Sequence, residues 1–334
     1  MIKIKVSIII PCLNEERYIA SCIESIVDSS LIDYELILVD GGSSDNTIKI
    51  IREFQEKYSF IKLLDNPKKF TPISMNIGIK DSKGDYIFII SAHAKYEKLY
   101  FIKLLDYIKE TDANCVGGFL ITDVKNKTLK SNSIKKVLSH KFGVGNSSFR
   151  VGIKDITEVD TVPFGCYTKE TFKKYGLYDE RLIRNQDIEL NKRIINGGGK
   201  IYLIPNVKAI YYARENLKDL VKNNFSNGEW NIYTAFYTKS LNSLGVRHFV
   251  PLIFVLSLLV PLFLSFFNIV FLWVSALSLV SYLALVIMSS LDLNDNKSSF
   301  LYLILTFISL HISYGVGSLL GIFSVLKIIF KGYK

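Results

Sequence analysis

The stretch VSIIIPCLNEE, residues 6–16, decides the expected fold of this chain. Its apolar residues continue without alternation from Val6 to Ile10 and stop at Pro11, which is typical of a short strand buried on both faces. Further along, helical spacing joins four apolar residues: Ile19, Cys22, Ile23 and Ile26. The sequence therefore predicts a buried strand over residues 5–10, followed by a helix over residues 15–27.

The same strand-then-helix pattern repeats over the next hundred residues. Apolar runs predict further strands at residues 35–39, 61–64, 85–90 and 115–121. Helical spacing of apolar residues recurs between them, as at Ile48, Ile51 and Phe54. This alternation predicts an α/β fold with a mostly parallel, doubly wound sheet and helices on both of its faces.

Three loops of unusual chemistry follow the first, second and fourth predicted strands. They cover residues 11–15, 40–45 and 91–93 and contain several polar or charged side chains. In open α/β sheets, ligands bind beyond the carboxyl ends of the strands. We therefore expect one binding site on the rim that these three loops share.

The pattern becomes less regular from residue 125. Residues 125–155 are polar and contain glycine, and we interpret them as an ordered insertion. Strands are predicted at 158–162, 164–167 and 200–204, with a helix from near Asp187 to Ile195 that stops at the glycines 197–199. We expect the soluble domain to cover residues 1–215 and a polar, aromatic juxtamembrane helical segment to cover residues 216–248.

The last 86 residues have a different composition. Six charged side chains lie beyond residue 248, so the first 248 residues carry 37 of the 41 basic and 29 of the 31 acidic side chains. The apolar stretches 250–267 and 269–288 each approach the roughly 20 residues that cross a bilayer. They predict a helical hairpin, and residues 299–326 predict either one tilted span or two broken half-spans. The alternative to a membrane region over 249–334 is a large buried helix bundle.

Charge and cysteine content exclude several classes of protein. The net charge of +10 comes from lysines spread along the chain, which indicates attraction to anionic lipid headgroups and no nucleic-acid partner. Four cysteines without paired spacing indicate neither a zinc site nor a disulfide framework, and they suit a reducing compartment. The short N-terminal apolar run does not fit a signal peptide.

Four segments in this order resemble the family 2 glycosyltransferases, which have the nucleotide-sugar-binding GT-A fold: VSIIIPCLNEE, ELILVDGGSSDNT, NIGIKDSKGDYIFI and NQDIELNKRI. The membrane-anchored, succinoglycan-type exopolysaccharide glucosyltransferases are similar at four further places: AHAKY, FGVGNSSFR, RNQDIELN and RHFVP. One such motif carries little information, because DGGSSDNT alone fits an ordinary polar turn. The ordered set covers most of the chain.

The resemblance implies a role for several residues. Asp40 would accept a hydrogen bond from the uracil ring, as a carboxylate can, and Glu15 would lie near the base or the ribose. The alternatives are a turn aspartate at position 40 and a helix N-terminal acid at position 15. The full set of donor-side residues implied in this way is Pro11, Asn14, Glu15, Asp40, Lys69, Asn76 and Ser91. The acceptor side would include Gly165, Cys166, Gln186 and Trp230.

Asp187 matches the position of the family's general base. A carboxylate within hydrogen-bond reach of an acceptor hydroxyl would take its proton while the hydroxyl attacks the anomeric carbon in a single inverting displacement. The alternative is a structural role, in which Asp187 caps the helix that begins there. The two roles are compatible with each other.

A divalent cation is implied as the cofactor, and here the sequence departs from the pattern. Relatives hold Mn²⁺ or Mg²⁺ with Asp-X-Asp at the end of the fourth strand, whereas this chain has Ser91, Ala92 and His93. An imidazole nitrogen of His93 suits Mn²⁺ better than Mg²⁺. The loss of the first aspartate makes metal dependence an open question, with a lysine that neutralises the diphosphate as the alternative.

Together these features predict a membrane-anchored, inverting hexosyltransferase in polysaccharide biosynthesis. It would use a UDP-sugar donor and a polyprenyl-linked glycan acceptor at the plasma membrane, with its catalytic domain facing the cytoplasm and other assembly enzymes as partners. By the positive-inside rule, Lys327, Lys331 and Lys334 are expected on the same side, which requires an even number of crossings. Residues 299–326 would then form a broken hairpin or a segment lying in the interface. The alternative is a non-catalytic member of the fold that binds nucleotide or scaffolds an assembly complex.

Overall fold

The computed structural model describes residues 5–145, 147–239 and 244–332. The chain divides into two compact units. Unit 1 consists of Met1–Ile121 and Ser148–Tyr212, and unit 2 consists of Thr122–Ser147 and Ala213–Lys334. Most of the expected insertion at 125–155 therefore belongs to unit 2, which differs from the expected continuous domain over residues 1–215.

Unit 1 alternates strands and helices as its apolar pattern predicts. Its strands are β1 (Val6–Cys12), β2 (Tyr34–Asp40), β3 (Ile61–Asp65), β4 (Tyr86–Ile89), β5 (Ala94–Tyr96), β6 (Cys115–Asp123), β7 (Thr157–Glu158), β8 (Cys166–Thr168) and β9 (Ile201–Tyr212). Its helices are α1 (Ile19–Val27), α2 (Thr47–Lys57), α3 (Thr71–Asp81), α4 (Tyr100–Thr111), α7 (Ser148–Val151), α8 (Lys169–Tyr175) and α9 (Gln186–Asn196). The strand expected at 158–162 is limited to the two residues of β7.

In the part of the chain that the structure describes, nine strands form one sheet. Eight of them follow the order β3-β2-β1-β4-β8-β6-β9-β5, and the ninth, β7, pairs with β9 outside that order. The four strands from β3 to β4 are parallel, and Ile9 of β1 lies opposite Ile37 of β2 and Ile89 of β4. The next strand, β8, runs antiparallel to both β4 and β6. The α/β fold is confirmed, with an antiparallel half that the alternation of strands and helices did not predict.

The residues of β1 explain why helices cover both faces of the sheet. Ile8 and Ile10 pack into one core cluster with α1 and α4, whereas Ile9 packs into a second cluster with α3 and α9. All three side chains are fully buried. Successive strand residues point to opposite faces, so a run of isoleucines requires a core on each side. This arrangement leaves the carboxyl ends of β1, β2 and β4 on one rim of the sheet.

Unit 2 is helical. It contains α5 (Leu129–Val137), α6 (Lys141–Val144), α10 (Leu217–Thr238), α11 (Val250–Leu264), α12 (Val270–Leu293) and α13 (Phe300–Phe330). By length and composition α12 and α13 are apolar enough to cross a membrane, and α11 is a shorter apolar helix. Residues 299–326 lie within or directly before one continuous helix, so their interpretation as two broken half-spans is wrong. Lys327 and Lys331 are exposed near its end, and Lys334 lies outside the described residues.

Candidate active site

A pocket of about 370 Å³ opens within unit 1. It lies at the carboxyl ends of β1 and β4 and beside the first turn of α9. Eight of the residues expected in the site line it: Pro11, Glu15, Lys69, Ser91, His93, Gly165, Gln186 and Asp187. Its volume lies in the range of small-molecule sites, and the fold thus brings together residues that are up to 176 positions apart.

The loops after β1 and β2 are joined to each other by Asn14. Its backbone N–H donates to Ser43 Oγ at 2.8 Å, and its Oδ1 accepts from the backbone N–H of Ser44 at 2.8 Å. Asn14 has a positive φ of 55°, which asparagine tolerates better than most residues. The side chain is exposed and does not line the pocket. Asn14 thus fixes the rim of the site, and its donor-binding role stays a prediction.

Asp40 is buried at the end of β2 and organises its own loop. Its carboxylate accepts from the backbone N–H groups of Gly42 and Ser43 at 2.7 and 2.9 Å and from Ser43 Oγ at 2.5 Å. It is not among the residues that line the pocket. These contacts match the alternative of a turn aspartate. Its role in binding a base also stays a prediction.

Lys69 lies against the Gly41-Gly42 turn and lines the pocket. A Cβ atom on Gly41 would come 3.1 Å from the carbonyl oxygen of Lys69, so a side chain at position 41 would press on the backbone of that loop. Gly42 has a φ of +83°, which only glycine adopts readily. The two glycines therefore allow the loop that carries Lys69 to approach the end of β2.

Asn76 is not among the residues that line the pocket, and its expected place beside the nucleotide stays a prediction. Its buried amide donates to the carbonyl oxygen of Tyr178 at 2.9 Å and to Glu180 Oε1 at 3.1 Å. Its Oδ1 accepts from the backbone N–H of Tyr178 at 3.0 Å. Because these contacts use both ends of the amide, Asn76 holds the loop before α9 against α3. Nothing local in the sequence indicates this contact.

Ser91 and His93 lie where expected, after β4. The phenolic oxygen of Tyr96 accepts from the backbone N–H of Ser91 and donates to its carbonyl oxygen, at 3.0 and 3.1 Å, which fixes this short loop. His93 Nδ1 lies 3.1 Å from Glu15 Oε1. Glu15 is itself held by a bond from its backbone N–H to Thr47 Oγ1 at 2.7 Å. The contact was not predicted, although β1 and β4 are neighbours in the sheet.

We tested whether these residues fit a divalent cation. Among the described residues, no group of three or more His, Cys, Asp or Glu side chains could hold a metal ion. The pocket offers one imidazole and one carboxylate, from His93 and Glu15, with the hydroxyl of Ser91 nearby in sequence. Mn²⁺ and Mg²⁺ take about six ligands. These two side chains would leave most of the coordination of such a cation to a bound diphosphate and water, and the cation stays a prediction.

Asp187 lies in the first turn of α9 and faces the pocket. Burial raises the pKa of its carboxyl group above the ordinary value, and hydrogen bonds from the backbone N–H groups of Ile188 and Asp187 itself oppose that increase. The same bonds occupy N–H groups in the first turn of α9, in which Asp187 is the second residue. A carboxylate with a raised pKa binds a proton more readily, and the role of Asp187 as a base stays a prediction.

Gln186 precedes Asp187 and also lines the pocket. Its Oε1 atom is buried and has no hydrogen-bond partner among the described residues. A buried polar atom without a partner costs about 1–3 kcal/mol, which makes it a natural acceptor for a hydroxyl or amide of a bound molecule. The acceptor-side role of Gln186 stays a prediction, and this atom supports it.

The other three acceptor-side residues are separated by the fold. Gly165 lines the pocket, whereas the thiol of Cys166 is fully buried in the core, which raises its pKa and removes it from the pocket. Trp230 belongs to α10 of unit 2, where its ring packs against Tyr233. Cys166 is therefore a packing residue, and the role of Trp230 stays a prediction.

Sequence reasoning missed Phe164. It lines the pocket with a positive φ of 50°, and its carbonyl oxygen accepts a hydrogen bond from the phenol of Tyr100 at 3.0 Å. A bulky residue with positive φ is uncommon and marks a locally constrained backbone. The one available signal was its place between Pro163 and Gly165, which predicts a turn but not a pocket wall.

Comparison with known proteins gives matches over much of the chain. Residues 7–176 match the family model described as glycosyl transferase family 2. A dolichyl N-acetyl-α-D-glucosaminyl phosphate 3-β-D-2,3-diacetamido-2,3-dideoxy-β-D-glucuronosyltransferase of Methanococcus voltae is 34% identical over 232 residues, which cover 67% of this chain and 71% of the relative. The succinoglycan biosynthesis protein ExoA of Rhizobium meliloti is 28% identical over 248 residues, which cover 73% of this chain and 74% of ExoA.

Two solved structures resemble the chain as a whole. The mannosyltransferase PcManGT of Pyrobaculum calidifontis, in complex with GDP-Man and Mn²⁺, matches with a TM-score of 0.59 and 13% identity, over 93% of this chain and 86% of its own. TarS 1-349 of S. aureus matches with a TM-score of 0.53 and 14% identity, over 94% of this chain and 90% of its own. At such low identity the likeness shows the fold alone, and it confirms the expected GT-A type.

Proposed function

This chain belongs to glycosyl transferase family 2, and on that premise we propose that it transfers a hexose or hexuronic sugar from a UDP-sugar to a lipid-linked glycan acceptor, with inversion at the anomeric carbon. The observation that carries the proposal is the composition of the pocket in unit 1. It combines a carboxylate suited to a base with residues suited to a diphosphate, namely Asp187 with Glu15, Lys69 and His93.

The reaction follows from the position of Asp187. Its carboxylate accepts the proton of the acceptor hydroxyl while the hydroxyl oxygen bonds to the anomeric carbon of the donor. The bond from that carbon to the diphosphate oxygen breaks, and its electron pair leaves with the nucleoside diphosphate. Attack from the face opposite the leaving group inverts the configuration, and no covalent intermediate with the protein forms.

The groups near Asp187 stabilise the charge of the leaving diphosphate. Lys69, which lines the pocket, brings a positive charge towards the phosphates. A divalent cation, Mn²⁺ or Mg²⁺, would be held by His93 and Glu15 and would neutralise charge on the departing group. Asp187 is partly buried at the pocket wall, and the unpartnered Oε1 atom of Gln186 would orient a sugar hydroxyl beside it.

Two features support the donor and acceptor classes. Asp40 at the end of β2 has the acceptor chemistry that a uracil imide N–H requires. The relative from Methanococcus voltae is named for a glucuronosyl donor group and a dolichyl phosphate-linked acceptor, and the relative from Rhizobium meliloti for succinoglycan biosynthesis. A lipid-borne acceptor also fits a chain whose second unit has apolar helices. We place the catalytic unit on the cytoplasmic side, where nucleotide sugars are made.

One experiment tests this function directly. Membranes that contain the full chain are incubated with single UDP-sugars or GDP-sugars and a polyprenyl phosphate-linked sugar, and both released nucleotide and labelled lipid are measured. We expect equal amounts of nucleotide and labelled lipid with a UDP-sugar, and neither product with Asp187→Asn. Nucleotide binding without turnover by any donor would instead indicate a non-catalytic subunit, for which Ser91 in place of an aspartate is the supporting feature.

A further inference from the structure

His93 contacts two aromatic rings of unit 1 that are not among the residues lining the pocket. The centroid of its ring is 5.4 Å from that of Tyr211 and 6.3 Å from that of Tyr18. Tyr18 in turn stacks on Tyr212, with ring centroids 5.7 Å apart. Since His93 itself lines the pocket, these three tyrosines form an aromatic surface directly beside one of the pocket walls.

The end of β9 holds this aromatic surface in place. The backbone N–H of Tyr212 donates to the carbonyl oxygen of His93 at 3.1 Å, and Tyr211 lies opposite Ala94 of β5 in the sheet. The ring of Phe164, which lines the pocket, has its centroid 6.4 Å from that of Tyr211. The tyrosines and Phe164 are half-buried. The surface is therefore fixed relative to the pocket and is in part open to solvent.

Tyr18 and Tyr211 each carry an arginine over the ring. The guanidinium carbon of Arg150 lies 5.1 Å from the ring centroid of Tyr211, and that of Arg17 lies 5.4 Å from the ring centroid of Tyr18. Both distances are within the range of about 6 Å in which an aromatic face attracts a cation. A guanidinium over a ring uses its flat face for that contact, while its N–H donors lie at its edge. The two rings that contact His93 thus hold two cations.

Arg150 ends a segment for which the pocket gives no role. It is the last residue of FGVGNSSFR, residues 142–150. It belongs to the short helix α7, and its guanidinium carbon also lies 5.7 Å from the ring centroid of Phe149. Phe149 packs against both core clusters of the sheet. The backbone that carries Arg150 is therefore anchored in unit 1.

The charges of these residues favour an anion. Arg17 and Arg150 bring two positive charges to the rings beside His93, whereas Glu15, whose Oε1 atom is 3.1 Å from His93 Nδ1, brings one negative charge. The loop Ser91-Ala92-His93 adds no carboxylate. The group is thus net positive. A guanidinium binds a phosphate through two parallel N–H···O bonds, which makes phosphate the anion that suits it best.

We propose that Arg150 and Arg17, held by Tyr211 and Tyr18, bind a phosphate group of a substrate beside His93. This inference rests on the proposed function, in which the donor carries a diphosphate and a phosphate joins the acceptor sugar to its lipid. Both sources offer the same anionic oxygen atoms. The arginines bind and orient the phosphate, and the proton transfer at Asp187 does not involve them.

Equilibrium binding to the full chain in detergent tests this phosphate site without requiring turnover. The donor probes are UDP and uridine, which differ in the diphosphate. The acceptor probes are a polyprenyl phosphate-linked sugar and an alkyl glycoside of the same sugar, which lacks the phosphate. The variants Arg150→Gln and Arg17→Gln each remove one positive charge. Arg52→Gln, at an exposed arginine of α2, is the matched control.

We expect Arg150→Gln to weaken the binding of one phosphate-bearing probe about tenfold or more and to leave its uncharged counterpart unchanged. A loss for UDP but not for uridine assigns the site to the donor diphosphate. A loss for the lipid-linked sugar but not for the alkyl glycoside assigns it to the acceptor. Arg17→Gln should weaken the same probe, by a smaller factor because Arg17 is more exposed than Arg150.

A conservative variant separates the phosphate contact from a role in folding. Arg150→Lys retains the positive charge but not the planar fork, so we expect it to bind the same probe with an affinity between those of the native chain and Arg150→Gln. The Tm of every variant is measured beside its affinity. If Arg150→Gln fails to fold, Arg150→Lys and Arg17→Gln carry the comparison.

Three outcomes would overturn the proposal. An equal loss of affinity for the charged and the uncharged member of a pair would mean that Arg150 only packs beside the pocket wall. Affinities in the Arg150 and Arg17 variants that match those of Arg52→Gln, in a chain that still transfers sugar, would remove the phosphate site and leave the proposed function intact. A native chain that binds neither UDP nor the lipid-linked sugar would contradict both.

Discussion

The Nδ1 atom of His93 lies 3.1 Å from the Oε1 atom of Glu15, which joins the loops at the carboxyl ends of β4 and β1. Both side chains are partly exposed to the pocket. Since position 91 holds serine, Glu15 supplies a carboxylate next to His93 that the loop after β4 lacks. We propose this pair as the place for a cation that bridges to the diphosphate.

Cation binding should depend on both members of this pair. We expect Glu15→Gln and His93→Ala each to weaken Mn²⁺ binding in the presence of UDP about tenfold or more, because each removes one of two protein ligands. Ser91→Asp should strengthen it by restoring a carboxylate. Mn²⁺ binding is measured by electron paramagnetic resonance on the full chain. Unchanged binding in all three variants, with full activity in excess chelator, would instead assign charge neutralisation to Lys69.

Removal of the base should abolish turnover without loss of donor binding. Asp187→Asn retains the size of the side chain and its ability to cap α9 but cannot accept the proton. We expect the turnover rate to fall about 10²-fold or more, with UDP affinity and thermal unfolding nearly unchanged. Rates are measured with saturating donor. Near-normal turnover of this variant would restrict Asp187 to its capping role.

The pH profile should reflect the environment of Asp187. The base must be ionised, and burial raises the pKa of its carboxyl group above that of an ordinary aspartate. Activity should therefore fall as the pH decreases through a value above that of an ordinary aspartate, and be fully present well above it. The measurement is kcat/KM against pH. An acid limb at or below the ordinary value would contradict the buried environment that the structure gives to this carboxyl.

A charge placed at Gln186 tests the same acid limb of the pH profile of kcat/KM. Gln186→Glu adds a negative charge beside Asp187, which disfavours ionisation of the base. We expect the acid limb of kcat/KM to move to higher pH. Gln186→Ala is the matched control, which removes the Oε1 acceptor without adding charge, and it should raise KM for the acceptor while the limb stays in place. If the acid limb of kcat/KM lies at the same pH in the native chain and in both variants, residue 186 does not lie beside the base.

Asn76 should act on stability more than on donor binding. Asn76→Ala leaves the backbone N–H and carbonyl of Tyr178 without their partner, which costs about 1–3 kcal/mol and should lower Tm by several degrees. Asn126→Ala, at an exposed asparagine, is the control and should change Tm little. A large loss of UDP affinity at unchanged Tm would restore the donor-binding role expected from the sequence.

The sequence alone determined the first half of unit 1. The strands from β1 to β4 and the helices between them follow from apolar spacing, which depends on residues a few positions apart. The expected places of Glu15, Ser91 and His93 on one rim follow from the rule that parallel strands end on the same side of a sheet. The expected place of Asp187 came from the family resemblance. These features are local in sequence, or consequences of a single topology.

Only the tertiary structure decided which of the proposed residues meet. Gly165 lines the pocket while Cys166 is in the core, because one step along a strand turns the side chain to the opposite face. Asn76 is bonded to Tyr178, 102 residues away, and α13 packs against α10 although its hydropathy alone is that of a span. Such contacts depend on strand register and on the packing of distant segments, and a hydrophobic pattern does not contain that information.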